Sequence, residues 1–284
     1  MSMGAFYIAT GRRYIDEACR SAASLKTWMP HLPITLFCDE MVQAPHFELV
    51  VPIARPQHRL IDKVMHMNAS TYERSLFLDT DTYLCDDVSE LFTLLDKFDI
   101  AVAHNPYRAL YLVDGVPDSY PEFNNGVIVF KQSPRMRRFL AEWLALYERD
   151  LKKEIRWSNP AGGTWFHGDL ATQPTFREAL YQSDLRVATL TPEYNCRFYR
   201  PGFVHRKVKI LHGRHPDLQA VAVAINADTG QRVFVKRLGR VKVIVYPERA
   251  RLIDKVKRSL WDRGVWRTAV SAARRVFERL LGPT

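Results

Sequence analysis

Cysteine is scarce in this 284-residue chain: Cys19, Cys38, Cys85 and Cys196 stand far apart, with no CxxC spacing. That argues against a disulfide framework and a cysteine-built zinc site, and a reduced, cytoplasmic setting is the plain expectation. Long apolar runs are missing too, and none approaches the roughly 20 residues that cross a bilayer. The opening "MSMGAFYIATGRR" enters a strand-like pattern at once, so a secretory leader is not expected. No internal repeat or low-complexity tract is visible.

What is present is ordinary globular material. At 47% hydrophobic and 25% charged, it suffices for a large core in one large α/β domain or two small ones. The formal charge of +10 is unevenly spread: residues 204–284 carry 19 Lys and Arg against 6 Asp and Glu, a local +13 that leaves residues 1–203 at −3. An anionic partner for the last third, lipid or nucleic acid, is the matching expectation.

Apolar runs at 4–11, 33–40, 47–53, 74–81, 99–105, 123–131, 186–190 and 208–213 read as strands. Helical spacing covers 14–30, 60–70, 88–98, 133–151 and the end of 169–181, with Ser133 placed to cap and Pro134 suited to a first turn. This alternation predicts βαβ units and a Rossmann-like, mostly parallel sheet flanked by helices. Ligands bind such sheets at the carboxyl ends of the strands, where Asp39, Asp79, Asp81 and His104 fall. "SNPAGGTWFHG" (158–168) reads as a mobile loop. Further on, "QAVAVAIN", "QRVFVKR" and "VKVIVY" read as a small antiparallel meander, with turn signals at "ADTG" and "LGR". Residues 249–281 read as two basic amphipathic helices around Gly264. The division expected is a catalytic part, 1–215, and a basic C-terminal part, 216–284.

The chemistry concentrates in "SLFLDTDTYLCDDVSELF" (75–92), where an apolar strand ends in Asp79-Thr80-Asp81. Alternate residues present both carboxylates to one side, and the simplest relief of their repulsion is a cation. Oxygen ligands favour Mg²⁺ or Mn²⁺. A DxD alone also occurs by chance, as a helix cap or a loop ion pair.

Its companions carry more. "LFLDTDTYLCDDVSELF", "FNNGVIVFK", "HGDLATQPTFREAL" and "KILHGRHP", in that order, resemble the nucleotide-diphospho-sugar transferases with the glycosyltransferase A fold, especially glycosyltransferase family 8, over about residues 4–215. The resemblance implies that Asp79, Asp81 and His212 hold the metal, and the imidazole favours manganese over magnesium. It implies a nucleotide-sugar donor, UDP-sugar first. Thr10, Gly11, Arg12 and Tyr14 would form the nucleotide-binding edge, with Asp39, Lys63 and Thr80 near the donor. Asn124, Asn125 and Gly126 would line the sugar side. Asp169 would face the sugar or its anomeric carbon, with Gln173 near the reaction centre, while Arg214 or Lys207 would assist the leaving diphosphate.

Plainer readings stand beside these. Tyr14 also suits a helix core, Asp39 a cap, Lys63 a solvated helix face, Asn124-Asn125-Gly126 a turn, Asp169 a helix N-cap and His212 a backbone contact. Two departures from the family pattern are visible: Asp169 and Gln173 are not adjacent, and Arg214-His215-Pro216 replaces a Lys-Pro-Trp ending. The likeness leans towards a retaining reaction; an inverting one needs a base, for which Asp169 is the candidate.

In the tail, Leu252, Ile253, Val256, Leu260 and Trp261 share a face opposite Arg and Lys, the composition of a helix lying on an anionic membrane surface. Packing on the catalytic part is the alternative. Membrane contact would suit a glycan or lipid-linked acceptor, as in polysaccharide assembly, and a peripheral position on the inner face of the membrane. A nucleotidyltransferase is the competing enzyme, but "ATGRRY" is a poor phosphate loop. A nucleic-acid-binding protein built on the basic region has few aromatics for base stacking and leaves the acids and His212 unexplained.

Overall fold

The first apolar run forms β1 (Met3–Ala9), and Gly11, at a φ of +93°, turns the chain into α1 (Arg12–Trp28). A side chain at that φ is strained, so glycine belongs there. In this computed structural model the described residues are 2–105, 113–152, 165–166, 169–237 and 240–245, with single positions at 260, 264–266 and 269–270. After β2 (Ile34–Cys38) and β3 (Leu49–Pro52), α2 (Leu60–His66) leads through a short 3-10 turn to β4 (Arg74–Leu78). The three-residue β5 (Thr82–Leu84) follows, then a 3-10 helix at Ser89–Asp96, β6 (Ile100–His104) and β7 (Phe123–Lys131). α3 (Pro134–Lys152) is capped as predicted, with Ser133 Oγ accepting from the Met136 amide at 3.1 Å. Then come β8 (Trp165–Phe166), β9 (Asp169–Leu170), α4 (Gln173–Gln182) and β10 (Val187–Leu190). The chain continues through β11 (Gly202–Val204), β12 (Ile210–His212), α5 (Leu218–Asn226), β13 (Arg232–Arg237) and β14 (Arg240–Val245).

Seven strands form the central sheet in the order β10-β6-β7-β4-β1-β2-β3. All neighbours are parallel except β7, which runs against both β4 and β6. Strand alternation splits the core into two layers. Tyr7, Leu76, Leu78 and Val129 pack with Ile15, Ala18 and Leu25 of α1 and with Leu91 and Leu95. Phe6, Phe77, Ile128 and Phe130 pack with Val64 of α2, Phe139 and Trp143 of α3 and Phe176 of α4. At about 1.5–3 kcal/mol for each large side chain removed from water, these two layers dominate the stabilisation.

A smaller apolar cluster joins Cys85, Cys196, Phe198 and Leu211 to Val221, Ile225 and Phe234, beneath the antiparallel sheet β11-β13-β14. Here two expectations are corrected. "QAVAVAIN" is the helix α5, not a strand: Asp217 caps it by accepting from the Ala220 amide at 2.8 Å, and Val221 and Ile225, one turn apart, bury its inner side. The outer strand of the meander is β11, which pairs with β13, so "ADTG" joins a helix to a strand, while β13 and β14 pair antiparallel with Arg237 opposite Arg240. The span 88–98 is helical but wound as 3-10. The mobile loop predicted at 158–168 lies outside the described residues except for β8. The helices predicted at 249–281 lie outside them except for the single positions, where Leu260, Val265, Trp266 and Val270 are exposed.

Candidate active site

β4 ends at Leu78, and Asp79-Thr80-Asp81 turns the chain back into β5. β12 pairs antiparallel with β5, His212 opposite Thr82, and this register carries the imidazole to the acids. His212 Nε2 lies 3.6 Å from Asp79 Oδ2 and 3.4 Å from Asp81 Oδ1. One donor atom from each of the three residues falls within 4.8 Å of the others.

The hydrogen bonds determine which imidazole nitrogen is free. The Gly126 backbone N–H donates to Asn124 Oδ1 at 3.1 Å, which fixes the orientation of that amide. Asn195 Nδ2 donates to the same oxygen at 2.9 Å, so Asn195 Oδ1 faces His212 Nδ1, 2.8 Å away. Nδ1 therefore carries the proton and Nε2 offers its lone pair to the space between the acids. Burial raises the Asp81 carboxyl, but a charged His212, its charge and hydrogen bond helped by Arg214 and Arg197, outweighs burial and holds Asp81 below the usual range; a cation would take the place of that second imidazole proton on Nε2. Two carboxylates and a pre-oriented imidazole fit a divalent cation.

Gly126 makes room for this. A Cβ there would stand 2.1 Å from His212 Cε1 and 2.6 Å from Asp79 Oδ2. From α2, Lys63 Nζ donates to Asp79 Oδ1 at 2.7 Å and to Asn125 O and Oδ1 at 2.8 and 3.1 Å. On the other side Arg214 reaches Asp81 Oδ2 at 3.5 Å and gives a two-toothed contact to Glu17 of α1, at 2.8 and 2.9 Å. Thr80 Oγ1 also donates to Glu17, at 3.1 Å. A cavity of about 260 Å³ opens here, lined by Arg13, Arg20, Asp81, Arg214 and His215 among others.

No protein-family model matches the sequence, and no curated protein matches it. Solved structures do. The glycosyltransferase GlyE of Streptococcus pneumoniae TIGR4 matches with a TM-score of 0.50 at 18% identity, over 69% of this chain and 48% of that one, so this chain spans about half the length of GlyE. The fold is the glycosyltransferase A fold. The galactosyltransferase LgtC, solved with donor and acceptor sugar analogs, gives a TM-score of 0.48 at 12% identity, over 75% of this chain and 88% of that one. The bifunctional WbbM gives 0.48 at 15%, over 70% and 40%.

Within the glycosyltransferase A fold of this chain the other predicted residues fall as follows. The Gly11 N–H donates to Asp39 Oδ1 at 2.9 Å, joining the carboxyl ends of β1 and β2. Thr10 Oγ1 donates to the buried Asp62 at 2.8 Å. Arg12 is exposed and pairs with Asp16 at 3.1 Å. Tyr14 is at the surface, not in the helix core, with the Arg214 guanidinium 5.6 Å from its ring centre. Asn124 and Asn125 are buried and bonded in different directions, Asn124 to Asn195 and Asn125 to Lys63 and to Thr172 Oγ1 at 2.9 Å. Asp169 lies in β9, and Thr172, not Asp169, occupies the N-cap of α4; the Asp169 side chain is outside the described part. Gln173 opens α4 beside Thr172. Lys207 is elsewhere, 3.2 Å from Asp86 and over the Trp28 ring.

Sequence reasoning missed Glu17, Asn195 and Thr172. Glu17 carried a faint signal, an acid on the helix that leaves the Gly11 turn. Asn195 and Thr172 sit in irregular segments where no periodicity marks them.

Proposed function

We propose that this chain is a metal-dependent glycosyltransferase that takes a sugar from a nucleotide diphosphate donor, UDP-sugar first, to a glycan or lipid-linked acceptor. The observation that carries the reading is the triad Asp79, Asp81 and His212, with its one free imidazole nitrogen turned to both acids, at the carboxyl ends of the sheet. Bound Mn²⁺ or Mg²⁺ would neutralise charge developing on the departing diphosphate. The chain's own groups do the rest. Arg214 and Lys63 flank the acids and supply fixed positive charge for the phosphates. Gly11, Tyr14 and Asp39 offer an edge for the nucleotide, and the segment 169–173 faces the sugar. We read the reaction as retaining, with Asp169 as the base an inverting course would require. Residues 1–215 form the catalytic part. The basic tail is read as a contact with an anionic membrane surface, supported by the exposed Trp266 and Val265; no helix among the described residues is long and apolar enough to cross a membrane.

Titration calorimetry of UDP into the chain, with and without Mn²⁺, tests this. Binding that requires Mn²⁺ and disappears in Asp79→Asn and Asp81→Asn is expected, followed by slow hydrolysis of one UDP-sugar. If neither UDP, GDP nor another nucleoside diphosphate binds with metal, the reading is wrong.

A further inference from the structure

Glu17 sits in none of the motifs that mark the site, yet it is 6% exposed and gathers donors from three segments. Arg214 presents Nε and Nη2 to its two oxygens, the planar fork that fits a carboxylate best. Thr80, between the two acids, donates to Oε2, and Arg13 reaches Oε1 at 3.4 Å from one turn away. The third guanidinium nitrogen, Arg214 Nη1, is left for Asp81 Oδ2. The loops are also tied through the backbone, the Gly213 N–H donating to Asp81 O at 2.9 Å.

A carboxylate turns about its last torsion in a broad, two-fold well, so which oxygen faces a ligand is open unless something holds it. In Asp81 the division is settled: Oδ2 to Arg214, Oδ1 to His212 Nε2. Arg214 alone could not serve this way, because a bare guanidinium beside Asp81 would repel a divalent cation and compete for the same oxygens. Glu17 offsets part of that charge and pins the fork.

We propose that Glu17 is a positioning residue of the cation site, acting through Arg214 to orient Asp81. The proposal rests on the metal-binding reading above and names a carboxylate one layer behind the ligands. Removing such an outer partner weakens metal binding about 10- to 100-fold. Glu17→Ala should therefore weaken Mn²⁺ binding about tenfold or more. In an Arg214→Ala background the same substitution should change it by no more than about twofold, because the group it acts through is gone.

The experiment is a titration of the full chain with Mn²⁺ and no nucleotide, following free Mn²⁺ by electron paramagnetic resonance. Wild type, Glu17→Gln, Glu17→Ala, Arg214→Ala and Glu17→Ala/Arg214→Ala are compared, with thermal unfolding of each. Glu17→Gln keeps the volume and one acceptor oxygen, so it should lose less than Glu17→Ala, and it carries the comparison if Glu17→Ala does not fold. Equal losses with and without Arg214, or no loss at all in a wild type that binds Mn²⁺, overturn this inference alone. A wild-type chain that binds neither Mn²⁺ nor Mg²⁺ overturns the metal site itself.

Discussion

His212 Nδ1 and Asn195 Oδ1 lie 2.8 Å apart, the last contact in a chain of bonds that begins at the backbone amide of Gly126. Asn195→Leu breaks it without touching a candidate ligand. The buried imidazole N–H then lacks its acceptor, a loss of about 1–3 kcal/mol in stability. Freed to change tautomer, His212 should also bind Mn²⁺ about 10- to 100-fold more weakly. Urea denaturation and Mn²⁺ titration of the same variant check both; unchanged Mn²⁺ affinity would remove Asn195 from the site.

Gly126→Ala puts a methyl where His212 Cε1 and Asp79 Oδ2 now stand. Overpacking of this kind costs about 1–3 kcal/mol. Because the displaced atoms belong to the triad, Mn²⁺ binding should fail even where the variant is still folded. Circular dichroism alongside calorimetry separates the two effects.

Acid sensitivity should trace in part to Asp99, far from the triad. The Arg186 guanidinium hydrogen-bonds it and, against burial, holds its carboxyl below the usual range. The folded value being depressed, the pair's contribution is fully present above the unfolded value, about pH 4, and is lost as pH falls through the folded one. Asp99→Asn should be less stable than wild type at pH 7 and should approach it once the pH has fallen through the folded value of Asp99. Urea midpoints at pH 7 and below that value decide it; parallel curves would mean the pair contributes nothing.

Asp217→Ala removes the cap of α5 and should cost about 1 kcal/mol. A urea midpoint measures this, and a neutral result would show that packing of Val221 and Ile225 holds the helix unaided.

The inner strands β1, β2, β4, β6 and β7 were legible because nearly every residue in them is buried, so that each reads as an apolar run, and β7 was found at its observed ends, Phe123 and Lys131. The triad was legible for a related reason, since polar residues that interrupt such runs stand out. α5 was not, because Ala and Val in alternation suit a strand as well as a helix, and the deciding signal was a single capping Asp217. β5 and β11 are three residues each, too short for periodicity to mark. Asn124 and Asn125 were noticed as a pair, but their separate bonds depend on a register shift where β7 meets β6 beside Ala103, which no local pattern announces. Asn195 depends on tertiary context alone.

The reversal of β7 has a consequence for how the site is gauged. β4 delivers its acids after its apolar stretch, whereas β7 delivers its amides before one, and the two meet because Leu78 lies opposite Val127. Deleting one residue from the middle of β7 would slide Asn124, Asn125 and Gly126 by about 3.3 Å and turn each to the other face. Swapping Ile128 for valine would do neither. What the site requires of the apolar stretch of β7 is a count of residues, as with the teeth of a gear, and only secondarily their identity.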